Sequence, residues 1–159
     1  MFTSWKLGTA ALLLISGIFS AQAPDRLAME GEWFVECPFD RVTSHRDCEV
    51  TVEVKSFDPP RHLAFIYRVS SGTFMAVGLP TPTRIVARVD NEEAVELAMC
   101  TGQACLLRGR FAARLRERMH KGSILRLEFH GSDRIAGAFE VSLSGFSKMH
   151  AEALDRLVR

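Results

Sequence analysis

Four cysteines are the residues of this 159-residue chain best equipped for chemistry: Cys37, Cys48, Cys100 and Cys105. Their thiols could ligate zinc, exchange electrons or close disulfides. The gaps between them are 10, 51 and 4 residues. No C-x-x-C is present, so neither a zinc knuckle nor a redox pair is spelled out. An even count in a chain that looks exported points to disulfides. Three pairings are possible. Local pairing, Cys37 with Cys48 and Cys100 with Cys105, closes the shortest loops and is the expected one. Each bridge is worth about 2–3 kcal/mol in the chain-entropy model. Within Cys100-Thr101-Gly102-Gln103-Ala104-Cys105, Gly102 is free to take positive φ and let the turn close.

The second concentration of chemistry is charge. Six basic residues (Arg108, Arg110, Arg114, Arg116, Arg118 and Lys121) stand against one acid, Glu117. Arg114, Arg118 and Lys121 follow i, i+4, i+7 and share one helix face. Together with Arg110 they form a strip able to hold an anionic surface, either lipid head groups or an acidic envelope protein. The plain alternative is a solvated face over Leu115 and Met119.

Other constellations are missing. Ser142-Leu143-Ser144-Gly145 lacks the first glycine of G-x-S-x-G, and no H-E-x-x-H, Walker loop or dinucleotide glycine pattern occurs. The histidines at 45, 62, 120, 130 and 150 are scattered along the chain. The reading is therefore a non-enzymatic protein, without catalytic residues, metal or cofactor.

The N-terminus explains why these residues are read as exported. Lys6 precedes an apolar stretch, Leu7 to Phe19, and Ala21-Gln22-Ala23 reads as an A-x-A cleavage site. The stretch is shorter than the roughly 20 residues a membrane span needs. Residues 1–23 are thus expected to be a signal peptide and 24–159 a single disulfide-containing β-rich domain, with Pro24 constraining where cleavage falls. Lys6 is the only charge in the leader, so the remainder carries 19 basic and 19 acidic residues. A neutral domain has no global field for nucleic acid, and no second apolar stretch could span a membrane.

Periodicity supplies the elements. Glu32 to Cys37 and Cys48 to Val54 alternate with period 2, the latter placing Cys48, Val50, Val52 and Val54 on one face. Strands are expected at Leu63–Val69, Phe74–Val77, around Ile85–Val89, at Ala94–Met99, Ile124–His130 and Ile135–Leu143. Breaks are expected at Asp58-Pro59-Pro60, Ser70-Ser71-Gly72, Leu79-Pro80-Thr81-Pro82, Asp90-Asn91 and Gly131-Ser132-Asp133. A short helix near 112–121, with Phe111, Leu115 and Met119 on its apolar side, ends at Gly122 as a C-cap glycine. A C-terminal helix follows, its stripe made by Met149, Ala153, Leu154, Leu157 and Val158, with Glu152/Arg156 and Asp155/Arg159 pairing at i, i+4. The fold expected is mostly β: an antiparallel β-sandwich or open barrel with these two helices.

Taken in order, Trp33 with Cys37 and Cys48, Leu79-Pro80, Val89-Asp90-Asn91, Cys100-x-Gly102-x-x-Cys105, Lys121-Gly122 and Ser142-Leu143-Ser144-Gly145-Phe146 resemble the invasion-associated locus B family of exported bacterial proteins. The resemblance covers nearly all of the chain after the leader. It implies a Gram-negative envelope protein, periplasmic or outer-membrane associated, β-rich, with two local disulfides. It carries no catalytic residues, and a host-invasion role does not transfer with it. Members commonly show a glycine-valine step after the mid-chain proline; here Pro80-Thr81-Pro82-Thr83-Arg84 stands instead. The alternative is a small-molecule or lipid carrier, or an uncharacterised enzyme, using a cavity lined by Phe65, Tyr67, Phe129 and Phe139.

If the leader is removed, protein recovered from the periplasm will have an intact mass short of the full chain by about two dozen residues. A full-length mass in the cytosolic fraction is the opposite result.

Overall fold

The structure is a computed structural model that describes residues 28–40, 45–57, 60–78, 84–97, 99–130 and 135–159. The leader with its Pro24 boundary, Leu79 to Thr83, the Asp58-Pro59 break and Gly131 to Asp133 lie outside the described residues.

Two antiparallel sheets carry the fold. The larger contains β1 (Ala28–Glu30), β2 (Trp33–Glu36), β5 (Glu49–Phe57), β6 (Pro60–Arg68), β7 (Thr73–Val77), β10 (Met99–Thr101) and β11 (Ala104–Leu107), in the order β1-β2-β5-β6-β7-β11-β10. The smaller contains β8 (Arg84–Val89), β9 (Val95–Leu97), β12 (Ile124–His130) and β13 (Ile135–Ser142), in the order β13-β12-β8-β9. A two-stranded ribbon, β3 (Phe39–Asp40) and β4 (His45–Arg46), lies in the loop between Cys37 and Cys48. Helices α1 (Gly109–Lys121) and α2 (Phe146–Val158) complete the chain. The sheets do not close into a barrel.

The period-2 residues build this core. Val50 and Val52 face inward with Trp33 and Val35, and with Leu63, Phe65 and Tyr67 on the next strand. From the smaller sheet, Ile85, Ala87, Val89, Leu125, Leu127 and Phe129 join the same cluster. A chain that turns every few residues can bury only alternate side chains, and these are the ones it buries.

Both disulfides form, Cys37–Cys48 and Cys100–Cys105, leaving no free cysteine. Cys100 and Cys105 are directly opposite in the β10–β11 hairpin. Cys37 and Cys48 extend the β2/β5 register, which ends at Glu36 opposite Glu49. Each bridge therefore fastens a pair that the sheet has already placed face to face.

Several expectations need correction. The strand expected at Ala94–Met99 is two strands in different sheets, β9 and β10, because the chain crosses from one layer to the other there. Helix α1 begins at Gly109, earlier than 112, and its buried side is Ala112, Leu115 and Met119; Phe111 is 45% exposed. Gly122 is the C-cap as expected, its N–H donating to the Arg118 carbonyl at 2.8 Å, but with an extended backbone at φ −88° rather than a left-handed one. It is needed for space, since an added Cβ would collide with Val89 Cγ1 and the Asp90 carboxylate. In α2 the buried side is Phe146, Met149, His150 and Ala153, whereas Leu154 and Val158 are exposed. The stripe is set by how α2 lies across β1, β2 and β5, not by hydrophobicity alone. The turn at Asp90 is as expected, and its carboxylate accepts the Ser123 and Ile124 amides at 3.0 and 2.9 Å.

The β13–α2 corner is the tightest point. Gly145 has φ +97°, and an added methyl would run into the Glu30 carbonyl oxygen. Gly145→Ala is expected to lower the unfolding free energy by about 2–3 kcal/mol in urea titration, because both the backbone conformation and the close approach are lost.

Candidate functional site

Helix α1 places the basic strip. It follows β11 directly through Arg108, an N-cap with extended backbone that makes no side-chain capping bond. Its first turn contains no acid. The N-terminal end of a helix carries partial positive charge, so cations there are unfavourable, whereas Lys121 near the C-terminus is favoured. Arg110 and Arg114 are exposed, and among the described residues neither they nor Lys121 have a carboxylate partner. The Arg110 guanidinium lies 4.9 Å from the Phe111 ring centroid.

Arg118 does not belong with them in the way the spacing predicts. Its side chain is only 16% exposed and its Nε is 2.5 Å from Glu92 Oε2. Its Nη1 also donates to the Glu93 carbonyl. The residue fastens α1 to the segment between β8 and β9, so its charge is spent inside the protein. Arg116 turns the other way and donates to the Tyr67 hydroxyl at 3.1 Å. A cleft of about 270 Å³ opens beside the strip, with Phe111, Arg114 and Arg118 on one wall and Glu93 to Glu96 on the other.

The fold also gathers two histidines that the sequence leaves thirty residues apart. His120 on α1 hydrogen-bonds Ser147 Oγ through Nδ1 at 2.8 Å and His150 Nδ1 through Nε2 at 2.9 Å. The His150 ring stacks on Phe146 and meets Tyr67 edge-on. Burial pushes the His150 imidazole down to about 4, with His120 and Arg116 adding repulsion. His120 is lowered as well, by burial and then by Arg116. This serine–imidazole–imidazole chain has the ordering of a proton relay. None of the described cavities reaches it, however, and its position at the α1–α2 seam makes it a lock between the helices. Its sequence signal was a histidine on the apolar side of an amphipathic helix, at i+4 from Phe146 and three before Ala153.

Of the aromatic residues considered as cavity walls, three lie in the core cluster and Phe139 is half-buried against it. Phe65, Tyr67 and Phe129 are buried. Phe65 stacks on Phe74, and Phe129 meets Phe139 edge-on at 5.2 Å. Interiors pack densely by default, and these rings have neighbours where a ligand would need room.

Among the described residues, no cluster of three metal-ligating side chains and no helix long and apolar enough to cross a membrane are found. No protein-family model, curated protein or solved structure matches the chain.

The histidine lock makes stability depend on pH. Unfolded, His150 would titrate near 6.5; folded, it stays neutral down to about 4. Between those values the unfolded chain binds more protons, so stability falls as pH falls and levels off above about pH 7. The expected loss is about 2 kcal/mol between pH 7.5 and 5. Urea unfolding across that range should show it, and His150→Gln should remove most of it.

Proposed function

We propose that this protein is an exported, non-enzymatic binding module of the invasion-associated locus B type, periplasmic or outer-membrane associated. Its strip on α1 meets an anionic lipid surface. Two disulfides suit an oxidising compartment. The family reading is supported by the ordered motifs around Trp33, the four cysteines and the Ser142–Phe146 corner.

The observation that carries the binding reading is the placement of Arg110 and Arg114. Both cations are exposed and without a carboxylate partner among the described residues, and Arg110 stands in the first turn of the helix, where the helix's own dipole opposes it. An anionic surface would relieve that cost. Phe111, exposed between them, offers the apolar contact that interfacial helices make at the head-group level.

The test is co-sedimentation with phosphatidylglycerol vesicles at low and high salt. Each cation near such a surface contributes about 1 kcal/mol, so Arg110→Glu with Arg114→Glu should weaken low-salt binding at least about tenfold. High salt should weaken the parent protein in the same direction. Circular dichroism controls for folding. Equal binding by the folded double variant sinks this reading; binding to acidic envelope proteins but not to vesicles would move the partner to that class. Arg118 is left intact because its reversal would break the Glu92 contact.

A further inference from the structure

The part of the larger sheet formed by β6, β7 and β11 carries a cavity of about 420 Å³ on its outer face. Tyr67, Phe74 and Leu107 belong to the core, so the residues alternating with them point outward. Met75 is opposite Leu106, both are half-buried, and together they make an apolar floor. Two residues further along the strands, Arg68 is opposite Thr73. Arg108 continues that row just beyond the Leu107–Phe74 pair. Asp47 and Ser71 close the rim from the neighbouring loops. The volume falls within the range of small-ligand sites, roughly 300–1,000 Å³.

The two ends of the cavity differ in charge. Asp47 and Glu49 share the single guanidinium of Arg68, at 3.3 and 2.7 Å. Two carboxylates on one cation leave that end with a net negative charge. Asp47 also accepts the Ser70 amide at 3.3 Å. A carboxylate has about four acceptor positions, so capacity remains for a further donor. At the other end Arg108 is exposed and has no carboxylate partner among the described residues. The hydroxyls of Ser71 and Thr73 lie along the same wall.

We propose that this cavity binds a short peptide of two or three residues by both of its free ends. The ammonium meets Asp47, the carboxylate meets Arg108, and an apolar side chain rests on Met75 and Leu106. The ligand is zwitterionic because the site is: the Asp47 end repels a plain anion, and Arg108 repels a plain cation. Its length follows from the sheet. β6 and β11 are two strand spacings apart, ~10 Å, and three extended residues span ~10 Å. A single amino acid is too short to touch both ends. Lying across the strands, the peptide presents its amide groups to Ser71 and Thr73. The unbranched thioether of Met75 adapts to different shapes, so the site selects the two termini rather than one sequence. Arg110 and Arg114 do not line this cavity, and the proposal stands apart from the lipid reading of α1.

Titration calorimetry of the disulfide-bonded protein with alanyl-leucyl-alanine should give a Kd of about 100 μM, as suits a ligand of this size. Acetylating the peptide's amine or amidating its carboxylate removes one charged contact, and each should weaken binding about tenfold. Arg108→Gln should weaken the free peptide about tenfold and abolish its advantage over the amide, while its advantage over the acetylated form persists. Asp47→Asn should do the converse, with circular dichroism confirming that each variant folds. With methyl-labelled methionines, the Met75 signal should shift on titration while those of the buried Met119 and Met149 stay in place. Four results overturn the proposal. They are no binding at roughly 5 mM peptide, capped peptides as tight as the free one, a folded Arg108→Gln protein that still prefers the free carboxylate, and a Met75 signal that does not move.

Discussion

The indole N–H of Trp33 donates to the Ser142 carbonyl at 2.7 Å, joining the edge region of the larger sheet to the last residue of the smaller one. The same ring meets Phe146 edge-on at 5.0 Å and is wholly buried. A large ring with one polar atom fits this position because the apolar body can fill the core while the N–H satisfies a strand-end carbonyl. From it follows the path of the chain. The left-handed Gly145 lets β13 turn at once into α2, and the close approach to Glu30 holds that turn against β1. Lys148 and Glu30 add an exposed ion pair at 2.8 Å, of little weight by itself.

The position of α2 in turn sets the surroundings of α1. Phe146 and His150 fill the space beside Tyr67, and His120 reaches across from α1 to His150 and Ser147. Arg116 is drawn inward to the Tyr67 hydroxyl and Arg118 sideways to Glu92. These contacts fix the rotation of α1 and thereby decide which cations remain outside. The six-residue basic cluster is thus split by packing: Arg116 and Arg118 serve the fold, while Arg108, Arg110, Arg114 and Lys121 face solvent.

How much could be read in advance varied with the range of the interaction. Val50, Val52 and their neighbours declared a half-buried strand because period 2 is a local property of the backbone. The cysteine pairs were readable for the same reason, since short loops bring partners together at small entropic cost. Glu152/Arg156 and Asp155/Arg159 pair at 2.7 and 2.6 Å as helix spacing requires. The division of Ala94–Met99 between two sheets was not readable. Alternation states which side chains are buried but not which layer buries them.

The sequence by itself determined the alternating strands, the two disulfides, the two helices and the concentration of positive charge near α1. All of these depend on residues near one another along the chain. Only the tertiary structure decided that Arg118 is neutralised and that His120 and His150 share a hydrogen bond. It also decided that Gly122 is required by Val89 and Asp90 rather than by its own φ. Each of those outcomes brings together groups distant along the chain. Their distances are fixed by sheet register and layer packing, to which no local periodicity is sensitive.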